Sequence, residues 1–142
     1  MAKSIKLKVI TPSKLFYEGM IEMVIVRTFT GEEGFMANHS WATKLLDTGE
    51  MCIQEAGTKE FTIASLAGGF IDIKEDIVIY TDSAEWQQDI DTERAAKVKS
   101  DAEKWLTEHK DDEPENLEEA RIIIAKQKSR LKVAAGGAHK KK

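Results

Sequence analysis

The chain has 142 residues, 42% of them hydrophobic and 32% charged, with a formal net charge of -4. That length buries one modest core and not two, and no apolar run approaches the roughly 20 residues that cross a bilayer, so one packed domain with an appendage, soluble and intracellular, is expected. A lone cysteine, Cys52, excludes an internal disulfide, and three histidines without ligand spacing offer no structural zinc site.

Ile5, Leu7 and Val9 alternate with Lys6 and Lys8, the period of a half-buried strand, and Thr11-Pro12-Ser13 ends it. Strand-like runs follow at 15–17, 21–28, 51–55, 60–65, 69–73 and 77–81, and Val24-Ile25-Val26 and Ile77-Val78-Ile79 are core candidates. The intervening turns are placed at 30–34, 47–49, 56–58 and 74–76. Short strands without a crossover helix predict an antiparallel sandwich or barrel. Within it Gly68-Gly69 marks a bulge or a close backbone approach, and Cys52 is a packed strand residue.

Near Ile90 the period lengthens. Ala95, Val98, Ala102 and Trp105 recur at helical steps from an N-cap at Asp91 to about His109. A second helix is read from a capping box at Asn116 and Glu119, with Leu117, Ala120, Ile123, Ile124 and Leu131 on its apolar stripe. Both stripes are narrow, and short helices in water are marginal, so this hairpin must depend on what it docks against. The fold class is therefore β + α: an N-terminal antiparallel β-sandwich over residues 1–87, a C-terminal α-helical hairpin over 88–133 and a disordered basic tail over 134–142.

Charge divides along the same line. Residues 1–89 carry 8 Lys+Arg against 14 Asp+Glu, whereas eight basic residues and no acidic one follow from Arg121 onward. Such a strip suits an acidic protein surface, a phosphate or an anionic membrane. No aromatic follows Trp105, so base stacking on nucleic acid is not supported and no nucleic-acid partner is expected. A free-standing small-molecule-binding sandwich is the other competing class. The chain has neither a P-loop nor a nucleophile elbow, and catalysis by it alone is not expected.

The ordered motifs Val9-Ile10-Thr11-Pro12, Gly31-Glu32-Glu33-Gly34 followed by His39, Leu45-Leu46, Gly68-Gly69-Phe70, Ala84-Glu85 and Ile90-Asp91-Thr92-Glu93-Arg94-Ala95 make the chain resemble the epsilon subunit of F-type ATP synthases over its whole length. The resemblance implies a sandwich of roughly ten strands and a helix-loop-helix. It further implies a non-catalytic coupling subunit of the central stalk, bound to the gamma subunit and the c ring. Its helices would reach the alpha and beta subunits and inhibit ATP hydrolysis. The expected location is peripheral, through the complex, at the cytoplasmic face of the cell membrane.

The same resemblance assigns residues. Glu32 and His39, on one loop, would meet the c ring; the residues alone make Glu32 a turn residue and His39 a loop side chain beside Trp41. Pro-Gly usually precedes that histidine in the family, and here Asn38 stands ready for a left-handed backbone. Glu85, Ile90, Asp91, Arg94, Ala95, Lys126 and Arg130 match places where some members bind ATP, although Asp101 replaces a basic residue. No cofactor is required, and ATP is a candidate regulatory ligand, the alternative reading being a nucleotide-sensing module without strong inhibitory activity. Arg121, Lys126, Lys128, Arg130 and Lys132 form the inhibitory basic face, or else a solvated one.

Overall fold

The computed structural model describes residues 3–136. Nine strands precede two helices: β1 (Ile5–Ile10), β2 (Leu15–Thr28), β3 (Gly31–Met36), β4 (Ala42–Leu46), β5 (Gly49–Glu55), β6 (Phe61–Leu66), β7 (Gly69–Ile73), β8 (Ile77–Tyr80), β9 (Ala84–Trp86), α1 (Thr92–Glu108) and α2 (Pro114–Ala134). A short 3-10 turn, Gln87–Asp89, joins β9 to the helices. The strands follow the order β1-β8-β7-β4-β2-β5-β6-β9, with β3 on β2 and β1 also on β2. Every pairing is antiparallel except that of β1 with β8.

The strand alternation of β1 sends Leu7 and Val9 inward, where both are fully buried, and leaves Lys6 and Lys8 outside to pair with Glu18 on β2. The core they enter is built from Ile21, Val24, Val26, Phe35, Met51, Ile53, Ile71, Ile73, Ile77 and Ile79, contributed by both layers of the sandwich. Strand β2 spans the layers: its first half pairs with β1, and a register shift between Ile21 and Met23 precedes its run along β3 and β5. The runs 15–17 and 21–28 are thus one strand.

Two further expectations change. Residues 31–34, read as part of a turn, belong to β3, because Glu32, Glu33 and Gly34 pair with Arg27, Val26 and Ile25. The second helix starts at Pro114 with Glu113 at the N-cap position and no side-chain capping bond, and Asn116 is not its cap. Proline suits the first helical position, and Asn116 lies inside the helix, where its side-chain Nδ2 donates to Asp112 at 2.9 Å. That bond and the Glu113 backbone N–H hold the Asp112 carboxyl below its ordinary range. Asp91 caps α1 as expected, accepting from the Arg94 backbone N–H at 3.1 Å.

The glycine pair behaves as read. Gly69 has φ +114, and a Cβ there would lie 1.9 Å from the Tyr80 carbonyl oxygen, so the backbones of β7 and β8 close on each other only through glycine. Asn38 takes the left-handed conformation at φ 69.

Candidate functional site

The site lies on the outer face of β2, β3, β5, β6 and β9. Side chains alternate along each strand, so while Met51, Ile53, Ala64 and Leu66 enter the core, Cys52, Ile63 and Ile25 emerge on the opposite face and form a second apolar patch with Ile90 and Val133. Cross-strand register sets Glu50 opposite Ser65 and Ser65 opposite Glu85, a row of carboxylate, hydroxyl and carboxylate on the same outer face. Arg27 and Glu32 are a neighbouring pair across β2 and β3.

Helix α2 covers this face, while α1 packs against α2. Ala125, Ser129 and Val133 recur every fourth residue, which places small side chains on one side of α2 and lets it approach the sheet. Ser129 Oγ lies 3.4 Å from Ser65 Oγ, and Val133, 1% exposed, packs in the patch of Cys52, Ile63 and Ile90. The Gln87 side-chain amide donates to the Val133 carbonyl at 2.9 Å, tying the last turn of α2 to the segment that leaves the sandwich.

Charges flank that seam. Arg130 donates from Nε to Glu85 Oε1 at 2.8 Å and from Nη2 to Oε2 at 3.2 Å, and its Nη1 donates to Gln127 Oε1 at 2.7 Å. The arginine side chain is 14% exposed and the glutamate 31%, so the bidentate pair is partly withdrawn from solvent and stronger than a surface contact. On the other flank, Lys128, Lys132, Ser129, Ala125 and Val133 face Arg27, Glu32, Thr48 and Glu50 across a cavity of about 320 Å³. Cys52, fully buried beneath α2, has its thiol pushed up to about 12, chiefly by burial and further by Glu50 and Glu32.

These placements sort the residues read from sequence. Glu85 and Arg130 are brought together. Ile90 and Ala95 are buried, Asp91 is spent as the α1 cap, Arg94 is exposed on the first turn, and Lys126 is half-buried; none of the seven lines the cavity beside α2. Of the basic face, Lys128 and Lys132 point into the cavity, whereas Arg121 is exposed near the start of α2, within 3.9 Å of Glu118. Glu32 and His39 do not share a loop. Glu32 is a strand residue beside the cavity, and His39 follows the far end of β3, where its Nδ1 donates to the Ser40 carbonyl at 2.7 Å and its ring meets Phe35 edge-on. Helix α2 runs to Ala134, and residues 137–142 of the basic tail lie outside the described residues.

Sequence reasoning missed the seam itself. Its signal was the four-residue spacing of Ala125, Ser129 and Val133, which lies outside the stripe assigned to α2. It also missed an apolar row on the other layer, where Leu45, Phe70 and Tyr80 stand in register across β4, β7 and β8 on the outer face, 67%, 39% and 40% exposed. The Phe70 and Tyr80 rings stack with centroids 4.8 Å apart. No helix among the described residues is long and apolar enough to cross a membrane.

Comparison with known proteins adds the following. The family described as ATP synthase, Delta/Epsilon chain, beta-sandwich domain matches residues 4–87. An ATP synthase epsilon chain of Alkaliphilus metalliredigens (strain QYMF) is 39% identical over 107 residues, covering 75% of this chain and 78% of that one. An ATP synthase epsilon chain of Caldanaerobacter subterraneus subsp. tengcongensis is 34% identical over 137 residues, covering 95% and 96%. Among solved structures, a chain of the Euglena gracilis mitochondrial ATP synthase, determined with OSCP and the c-ring, superposes with TM-score 0.77 over 93% of this chain and 81% of that one, at 21% identity. A chain from the central stalk and c-ring of the Tetrahymena thermophila enzyme gives 0.66 over 93% and 97%, at 12% identity. At those identities the two structures speak to the fold alone.

Proposed function

Because this chain belongs to the ATP synthase epsilon family, we propose that it is a coupling and regulatory subunit of the central stalk, without catalytic activity of its own. The sandwich is its fixed part. The exposed row of Leu45, Phe70 and Tyr80 is the face that docks the gamma subunit, since an apolar row of this kind is what a permanent partner covers. Glu32 and His39 remain the proposed contacts to the c ring, now from opposite ends of β3 rather than from one loop. Through these partners the protein sits peripherally at the cytoplasmic face of the cell membrane.

The hairpin is the moving part, and the observation that carries this reading is how little holds it. Along α2 the buried residues are Ala120, Gln127 and Val133, and Ala95 is the one in α1. When it lifts, Lys126 and Arg130 are freed and join the already exposed Arg121, Lys128 and Lys132 as a basic face for acidic surfaces of the alpha and beta subunits, and rotation in the hydrolysis direction is restrained. ATP acts here as a regulatory ligand at Ile90, Asp91, Arg94 and Ala95, and it reaches Arg130 only by displacing Glu85.

Two measurements test this. Tagged full-length protein is expected to co-purify with gamma, alpha and beta subunits. In the assembled complex, a chain truncated before Pro114 is expected to raise the rate of ATP hydrolysis, and an unchanged rate refutes the inhibitory role.

A further inference from the structure

The two helices face each other along stripes that leave a gap. On α1, Ala102 and Trp105 are three residues apart; on α2, Asn116, Glu119, Ala120 and Ile123 recur at helical steps, so each set shares one face of its helix. Ala102 and Ala120 are too short to fill the space between Trp105 and Ile123, and the six side chains line a groove of about 200 Å³. No sandwich residue borders it, so it is separate from the seam beneath α2. The His109 ring stacks on the indole of Trp105 with centroids 4.5 Å apart and planes 12° apart, and its Nδ1 donates to the Trp105 carbonyl at 2.8 Å. His109 thus holds one face of the indole, and the ring stays half-buried as a wall of the groove. At the rim Asn116 donates to Asp112, whereas Glu119 is exposed and has no ion pair or hydrogen bond among the described residues.

Charge and size select what fits. From Asp101 to Glu119 nine acidic residues stand against Lys104 and Lys110, the reverse of the basic strip further along α2. Of these acids, Glu103 is paired with Lys99 and Glu118 with Arg121. A field of that sign repels nucleotide phosphates, nucleic acid and anionic lipid, and draws basic protein segments. The volume lies below the roughly 300–1,000 Å³ of small-molecule pockets and suits one long side chain. An aromatic wall beside an unpaired carboxylate favours a guanidinium, which lies flat against an indole while its edge donates to the carboxylate; an ammonium has no such plane.

We infer that the groove between α1 and α2 is a receptor for an arginine side chain carried by a basic segment of another protein. Trp105 stacks on the guanidinium, Glu119 accepts its N–H bonds, and the arginine methylenes lie against Ile123, Ala102 and Ala120. The contact goes beyond the coupling and regulatory reading and uses none of the residues assigned to it.

The experiment follows the indole and amide signals of the nitrogen-15-labelled full-length chain by NMR while a capped ten-residue oligoarginine peptide is added. We expect the Trp105 indole signal to move saturably while those of Trp41 and Trp86 stay in place. Glu119→Gln is expected to weaken binding about fivefold, as for a partly exposed charge-assisted pair, whereas Glu115→Gln, which removes an equal charge outside the groove, changes it less than twofold. Trp105→Leu, followed at the Asn116 and Ile123 amides, is expected to weaken it about fivefold and Trp105→Phe by less, since phenylalanine keeps a π face. An oligolysine peptide of equal length is expected to bind more weakly. A Trp105 signal that does not move, parallel shifts of all three indoles, or equal losses in Glu119→Gln and Glu115→Gln overturn the inference. So does a peptide-free dimer in sedimentation that Trp105→Leu abolishes, because the groove then belongs to a second copy of this chain.

Discussion

Val133→Ala is the sharpest perturbation of the docked state. The valine is 1% exposed, and its neighbours are Cys52, Ile63 and Ile90 on the outer face, with Ile25 and Phe61 partly buried around them. Removing its two methyl groups forfeits about 0.8 kcal/mol for each buried carbon, and incomplete collapse of the gap brings the total to about 2 kcal/mol. Alanine favours helix over valine, so the loss is not one of helix formation. Because none of these contacts belongs to the core between the layers, the whole effect falls on docking, and ~2 kcal/mol shifts that equilibrium by about thirtyfold. Alkylation of Cys52 under conditions where opening is at equilibrium should accelerate by that factor, while thermal unfolding of the β signal stays in place. An unchanged alkylation rate, or a sandwich destabilised by the same ~2 kcal/mol, would refute the separation of the outer apolar patch from the core.

Three other outcomes are expected. The docked Cys52 thiol lies at about 12 against an ordinary 9.0, so between those values the undocked state gives up its proton while the docked state keeps it; docking is therefore unaffected below pH 9 and weakens as pH rises above it, seen as faster proteolysis of α2 and absent in Cys52→Ala. Gly69→Ala must both hold φ +114 and drive a Cβ into the Tyr80 carbonyl, so thermal unfolding should report a loss of more than about 2 kcal/mol. ATP titrated into the isolated chain should give a saturable response that Arg94→Ala weakens and Glu85→Gln strengthens by freeing Arg130; no saturation leaves Asp91 and Arg94 as helix-start residues only.

The parts that sequence made readable are those governed by local rules. Leu7 and Val9 alternate because one face of β1 is buried, Asp91 precedes a helix because its carboxylate reaches the Arg94 N–H, and Gly68-Gly69 stands where two backbones touch. Residues 31–34 read as turn because Gly31 and Gly34 carry turn chemistry, and their strand character comes from pairing with β2, which no local pattern contains. Asn116 and Glu119 satisfy the capping pattern, yet Pro114 starts the helix earlier because its ring presets the first helical dihedral. The seam was hidden for another reason. Cys52 and Ile63 look like core residues of strands buried on one face, and only the three-dimensional path of α2 shows that their cover is a helix from the far end of the chain. The resemblance put Glu85 and Arg130 in one nucleotide-binding group; in the docked state the two satisfy each other.

Ile90 and Val133 occupy one apolar patch, although the first begins the hairpin and the second ends it. The two ends of the hairpin are thus held at one place on the sandwich. A lift of the end of α2 would take Val133 from the patch that also holds Ile90, so the two ends of the hairpin are coupled through it. If the hairpin moves as proposed, this shared patch makes its release all-or-none, with the slack appearing at both ends together.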